Sequence, residues 1–135
     1  MNRSLLYVSQ QAFSARARDQ VIGEIVAHAR TYNGANGITG ALGCTRDHFA
    51  QLLEGPSVLL EQLMRRIEQD SRHTHVTILR DSVISQHRLP DWSMAYSGPS
   101  SYVARQIEPL IGRPVEVTPA RVDRLVSLLV GLAAV

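Results

Sequence analysis

Three polar side chains stand where an otherwise apolar pattern would bury them. They are Tyr7 within Leu5-Leu6-Tyr7-Val8, Gln51 within Phe49-Ala50-Gln51-Leu52-Leu53, and Asn33 ahead of Gly34. A phenol or amide taken out of water needs hydrogen-bond partners, because an unsatisfied one costs about 1–3 kcal/mol. The three groups can satisfy one another. They also suit the edge of a planar ligand that alternates donors and acceptors, as a flavin or purine ring does. Taken singly, each has a plainer reading: a packed Tyr with a satisfied hydroxyl, an Asn that terminates a helix, a Gln on the solvent face of a strand.

The elements that must position these residues follow from periodicity. Leu5-Leu6-Tyr7-Val8 reads as a buried strand. Ser14 stands at a helix N-cap position, and Val21, Ile22, Ile25, Val26 and Ala29 follow at helical spacing up to a stop at Asn33-Gly34. Ile38–Leu42 and His48–Leu53 read as strands joined by the short hairpin Thr45-Arg46-Asp47. Glu54-Gly55-Pro56 reads as a turn and helix start, with Leu59, Leu60, Leu63, Met64 and Ile67 as the stripe of the second helix. Val76–Leu79 and Ser93–Tyr96 read as the fourth and fifth strands.

The order β-α-β-β-α-β-β predicts an α+β fold, a ferredoxin-like sheet with two helices on one face. Beyond Gly98 the pattern becomes helical, over about 101–111 and again from Thr118-Pro119, whose Val122, Leu125, Val126, Leu129 and Leu132 make a strong apolar stripe. This divides the chain into 1–98 and a helical extension, 99–135, expected to cover the open sheet face or to form an oligomer contact. The stripe favours a homo-oligomer.

Composition narrows the function. With 44% hydrophobic and 19% charged residues over 135 positions, the chain is long and apolar enough for one real core. All 14 basic residues are Arg, the formal charge is only +2, and aromatics are 5%, so no nucleic-acid partner is expected. The apolar run from Leu125 to Val135 is about half of what a bilayer span needs, so no membrane association is expected either. The single cysteine, Cys44, rules out an internal disulfide and suits a reducing cytoplasm. His28, His48, His73, His75 and His87 show no metal-ligand spacing on one element, so no metal is expected. An acyl-phosphate hydrolase would need a glycine-rich anion loop after the first strand, and Ser9-Gln10-Gln11-Ala12-Phe13 has no glycine.

Five segments in order resemble the BLUF family, flavin-binding domains that sense blue light. They are Leu6-Tyr7-Val8-Ser9, Asn33-Gly34-Ala35-Asn36-Gly37-Ile38-Thr39-Gly40-Ala41-Leu42, Phe49-Ala50-Gln51-Leu52-Leu53-Glu54-Gly55, Asp70-Ser71-Arg72-His73 and Trp92-Ser93-Met94. The resemblance implies a blue-light photoreceptor holding FAD between its two helices, with no catalysis on an outside substrate. It implies that Tyr7 is the electron donor, that Gln51 bridges Tyr7 and the flavin and exchanges its hydrogen bonds on illumination, and that Asn33 fixes the pyrimidine edge of the ring. Arg30 and Arg72 are candidates to reach the cofactor or its phosphates, and Ile38 is counted with the cofactor-binding residues. His73 reads as a hydrogen-bonded structural histidine. Trp92 and Met94 would relay the change to an unknown downstream partner or to the oligomer. The chain departs from the family at Gly43-Cys44, where bulky residues are usual, at Ala50, and at Leu89-Pro90-Asp91. These departures keep open an alternative, a flavin-less relative serving as an interaction module.

Overall fold

The computed structural model describes residues 1–89, 95–97, 101–111 and 116–133. Strand β1 (Asn2–Gln11) lies inside a five-stranded sheet, between β3 (His48–Pro56) and β4 (His73–Ile84). Strand β2 (Thr39–Cys44) flanks β3 on its other side, and β5 (Ala95–Ser97) joins β2 in parallel, giving the order β4-β1-β3-β2-β5. The remaining pairings are antiparallel. Helices α1 (Arg18–Ala35) and α2 (Ser57–Gln69) cover one face, in the α+β, ferredoxin-like arrangement that the element order predicts.

Several boundaries move for identifiable reasons. Ser14 caps a single 3-10 turn, Ala15–Ala17, before α1 begins. Helix α1 continues past Asn33 to Ala35, because the residue that takes the left-handed turn is Gly37 (φ +66°), not Gly34. The Asn33 carbonyl then accepts from both Asn36 N–H (3.1 Å) and Ile38 N–H (3.0 Å), so the chain turns around Asn33 and holds it in place. Glu54-Gly55-Pro56 is strand and not turn, since β1 pairs with β3 as far as Asn2 opposite Pro56. Strand β4 is three times as long as its apolar segment and carries an extra residue opposite Leu6–Tyr7 and another opposite Val8–Gln10. Trp92 and Met94 lie outside the described residues.

The opposite face is covered by α3 (Ser101–Ile107), a following 3-10 turn, and α4 (Pro119–Ala133), whose first turn is capped by the Thr118 hydroxyl accepting from Arg121 N–H (3.2 Å). Val103, Ile107, Val122, Leu125, Val126 and Leu129 pack there against Leu6, Val8, Ala41, Ala50 and Leu52. The apolar stripe that suggested self-association is thus hidden against the chain's own sheet.

That packing explains two of the family departures. Gly43 and Ala50 are cross-strand partners facing α3 and α4. A Cβ built on Gly43 would stand 3.2 Å from Leu129 Cδ2 and 3.4 Å from Val103 Cγ1. The small pair makes room for the helices, on the face away from α1 and α2. Gly43→Val should therefore lower stability by about 1–3 kcal/mol in urea unfolding, the usual cost of overpacking. Gly23→Ala, at a helical site with nothing within 4 Å, should leave stability unchanged or raise it by up to about 1 kcal/mol.

Candidate functional site

A cleft of about 230 Å³ opens between α1 and α2, over the strands. Its floor is Tyr7 on β1, Gln51 and Phe49 on β3, and Leu42 on β2. Antiparallel register sets Tyr7 and Leu42 on either side of Gln51. One wall is a helical stripe of α1, Ile25, His28, Ala29, Tyr32 and Asn33, and the other is Leu63, Arg66 and Ile67 of α2. Asp70, Arg72 and His73, where α2 passes into β4, complete the lining.

The polar groups of the floor meet at its inner end. The Tyr7 hydroxyl donates to Gln51 Oε1 in a short hydrogen bond. Both residues are buried, as is Asn33 at 1% exposure. Burial pushes the Tyr7 phenol far above its ordinary range, with the nearby Asp70 carboxylate adding to the effect and Cys44 contributing less. The phenol is thus a fixed proton donor in the resting state. With Oε1 taken by Tyr7, the Nε2 end of Gln51 is its donor end.

The rim is ordered by charge. Burial works against the Asp70 carboxylate, but bonds from the Arg72 side chain and backbone N–H outweigh it and hold the carboxyl below its usual range. Arg72 grips Asp70 at two points, Nε to Oδ1 (2.9 Å) and Nη2 to Oδ2 (2.6 Å). On α2, the Arg66 guanidinium lies 4.5 Å from the centre of the Tyr32 ring, which stacks in turn on His28.

His73 bridges three elements. Its Nε2–H donates to the Ile67 carbonyl at the end of α2 (2.8 Å), and its Nδ1 accepts from the Ser9 hydroxyl of β1 (2.9 Å). Its ring meets Tyr7 and Phe49 edge-on, both at 6.1 Å. The structural role read from sequence holds, and His73 also lines the cleft.

Of the sequence candidates, Tyr7, Gln51, Asn33 and Arg72 converge on the cleft. Arg30 is exposed on α1 and is not among the lining residues, because it lies off the stripe that contains Ile25, Ala29 and Tyr32. Ile38 is buried in the core beside the cleft rather than on its wall. Cys44 packs opposite Phe49 as a small, fully buried hydrophobe. His28, Tyr32 and Arg66 went unassigned. Their signal was the i, i+3, i+4, i+7 spacing that continues each helix's apolar stripe with a polar or aromatic member. Among the described residues no group of three or more His, Cys, Asp or Glu is placed to hold a metal, and no helix is long and apolar enough to cross a membrane.

Burial is the main cause that lowers the His73 pKa, with Arg72 adding to it, while the Ile67 carbonyl and Asp70 oppose. The folded protein therefore holds His73 neutral where the unfolded chain, near 6.5, would already take a proton. Stability should fall as pH drops below about 6.5 and stop falling, for this group, once the folded form titrates too. Melting temperatures measured between pH 8 and 5 should show this slope for the wild type and a shallower one for His73→Gln.

Comparison with known proteins gives one consistent result. The BLUF family, described as sensors of blue-light using FAD, matches residues 3–95. Subunit beta of the photoactivated adenylate cyclase of Euglena gracilis is 33% identical over 92 residues, 67% of this chain and 10% of that protein. The chain spans about a tenth of the curated relatives it matches. Among solved structures, BlsA in its photo-activated state superposes with a TM-score of 0.82 at 27% identity, over 96% of this chain and 95% of BlsA. The dark-state structure of BlrB, a BLUF protein, gives 0.74 at 31% identity over 94% and 96%.

Proposed function

This chain belongs to the BLUF family of blue-light sensors, and on that premise we propose that Tyr7 and Gln51 are its photoactive pair, that Asn33 holds the far edge of the flavin ring, and that the flavin is FAD. The chain is a flavin-binding blue-light photoreceptor, and residues 3–95 are its sensor module. The observation that carries the site assignment is the buried hydrogen bond from Tyr7 to Gln51 on the floor of the cleft.

The residues present fit a flavin. Ile25, Ala29, Leu42, Phe49, Leu63 and Ile67 give the cleft apolar surface, and its buried Tyr7 phenol and Asn33 and Gln51 amides are a set able to meet alternating donors and acceptors on a ring edge. At about 230 Å³ the cleft is below the roughly 300–1,000 Å³ of pockets that enclose a whole ligand. It suits the ring system, with the remainder of the cofactor toward the rim at Arg66 and Arg72. Arg30 and Ile38 drop out of the proposed binding set, one for its exposure away from the cleft, the other for its place in the core.

When bound, the flavin supplies the light absorption and the electron acceptor. The chain's part is to hold a proton on Tyr7 Oη, which burial keeps there, and to present Gln51 Oε1 to it. A change of hydrogen-bond partner at Tyr7 Oη favours rotation of the Gln51 amide, which exchanges ends of similar size and opposite role. The rotated amide offers Nε2 where Oε1 stood, so Tyr7 Oη accepts there and turns its own proton to another acceptor; a flavin held beside the pair would then supply a slightly red-shifted absorption. Leu42, Phe49 and His73 pack around the pair and keep water from competing.

We place the sensing part at 1–98 and the output at 99–135. The change would pass through the fifth strand, with Trp92 and Met94 as relays, to a separate effector in the cytoplasm or to a rearranged oligomer. Support comes from the packing of α3 and α4 on the sheet face opposite the cleft.

The purified protein should show an oxidised-flavin spectrum that shifts slightly to the red under blue light and relaxes in darkness. Gln51→Ala and Tyr7→Phe should keep the flavin and lose the shift, while Asn33→Ala should weaken flavin binding by about tenfold, the worth of one or two amide hydrogen bonds. Chromatography of the released cofactor should give FAD; FMN would correct that assignment alone. A colourless protein that takes up no added flavin would sink the photoreceptor reading in favour of an interaction module.

A further inference from the structure

Glu54 is fully buried on β3, three residues beyond Gln51 and therefore on the opposite face of the sheet. Its Oε1 accepts from two consecutive backbone N–H groups, Arg88 (2.8 Å) and Leu89 (2.9 Å). Beside this, Thr39 Oγ1 of β2 is 2.9 Å from His87 Nδ1. Leu89 is itself buried against the α3 and α4 side of the core.

These contacts fall on a singular piece of chain. Strand β4 ends at Ile84 on one edge of the sheet, and the chain rejoins the sheet at Ala95, beside β2 on the other edge. The described part of this connection, residues 85–89, is tied to the middle of the sheet by Glu54 and Thr39.

The second carboxyl oxygen, Oε2, is buried and has no hydrogen-bond partner among the described residues. A buried carboxyl oxygen left unpaired is costly, and it gives the same two donors an alternative acceptor about 2 Å away, within one side chain. The tie therefore has two settings: both N–H groups on Oε1, or one on each oxygen. Moving between them needs a small slide of the connection or a turn of the carboxyl, and no break in the β1–β3–β2 ladder.

We propose that Glu54 is a two-position latch on the β4–β5 connection, and that its second setting belongs to the lit state and sets the lifetime of that state. This rests on the photoreceptor reading above. Gln51 and Glu54 share a strand pinned on both sides, so the strand itself cannot slide. A new hydrogen-bond pattern at Gln51 can reach the connection only through side chains and packing on either face, and Glu54 is the polar side chain of β3 that contacts it. Glu54 acts as a positioning residue, since it lies across the sheet from the cleft.

The test follows the backbone amides of Arg88 and Leu89 by NMR, in the flavin-loaded protein, in darkness and under blue light, alongside the dark recovery of the red shift in wild type and Glu54→Gln. Both amides should be protected from exchange in the dark, in the presence and absence of flavin, and should change chemical shift with light. Glu54→Gln keeps one oxygen for the first setting but replaces Oε2 with an amide that cannot accept. It should bind flavin with an unchanged dark spectrum and return from the lit state at least fivefold faster. A normal wild-type red shift with unmoved Arg88 and Leu89 amides overturns the latch alone, whether or not the variant folds. An unchanged recovery rate in a folded Glu54→Gln does the same. A wild type that binds flavin without any red shift overturns the photoreceptor reading, and the latch with it.

Discussion

The antiparallel register of β1 against β3 puts Tyr7 directly opposite Gln51, and both side chains on the face covered by α1 and α2. In a sheet, a slip of one residue sends every side chain to the other face. A slip of either strand would bury a phenol or an amide under α3 and α4, among Ile107, Leu125 and Leu129, and part Tyr7 from Gln51. The penalty of an unsatisfied buried group, about 1–3 kcal/mol each, then works for the fold as well as for the site. Apolar alternation and polar pairing favour the same register, so the hydrogen bond that the chemistry needs is also one that helps specify the sheet.

Alternation lets a thin sheet serve two purposes. Sequence neighbours face opposite ways: Leu6 and Tyr7, Ala50 and Gln51, Leu42 and Gly43 each place one residue toward the cleft side and one toward the C-terminal helices. On the far side the small pair Gly43 and Ala50 lets α4 approach closely. On the near side the same strands carry the cleft floor. Any rearrangement of side chains at the floor is therefore one residue away, along the backbone, from the surface that α3 and α4 occupy.

The parts legible in sequence are those set by local pattern. The α4 stripe, the Thr118 cap, the hairpin at Thr45–Asp47 and the buried polar trio of Tyr7, Asn33 and Gln51 all announce themselves by spacing and residue type. What stayed hidden depends on contacts distant in sequence. Glu54-Gly55-Pro56 reads as a turn on composition, and only pairing with Asn2–Ser4 extends it as strand. Glu54 gives no sign of being buried, because its partners are backbone groups at residues 88 and 89, which a sequence does not mark. Arg30 and Arg72 look alike on paper. The stripe to which Arg30 does not belong, and the Asp70 that grips Arg72, decide between them.

The size of the signal constrains how it travels. Exchanging the ends of one buried amide alters a few hydrogen bonds, each worth about 0.5–1.5 kcal/mol net. That is enough to change a population by one or two powers of ten and far too little to unpair a ladder of strands. A sensor built this way must therefore read its cofactor through an element already close to balance between two packings. The candidates are few: the central strands are held on both sides, and α1 and α2 are anchored by their apolar stripes. The described part of the connection between β4 and β5 differs, because residues 87–89 rest on the sheet through a handful of polar ties. It is there that a hydrogen-bond exchange worth a few kcal/mol matches what it has to move.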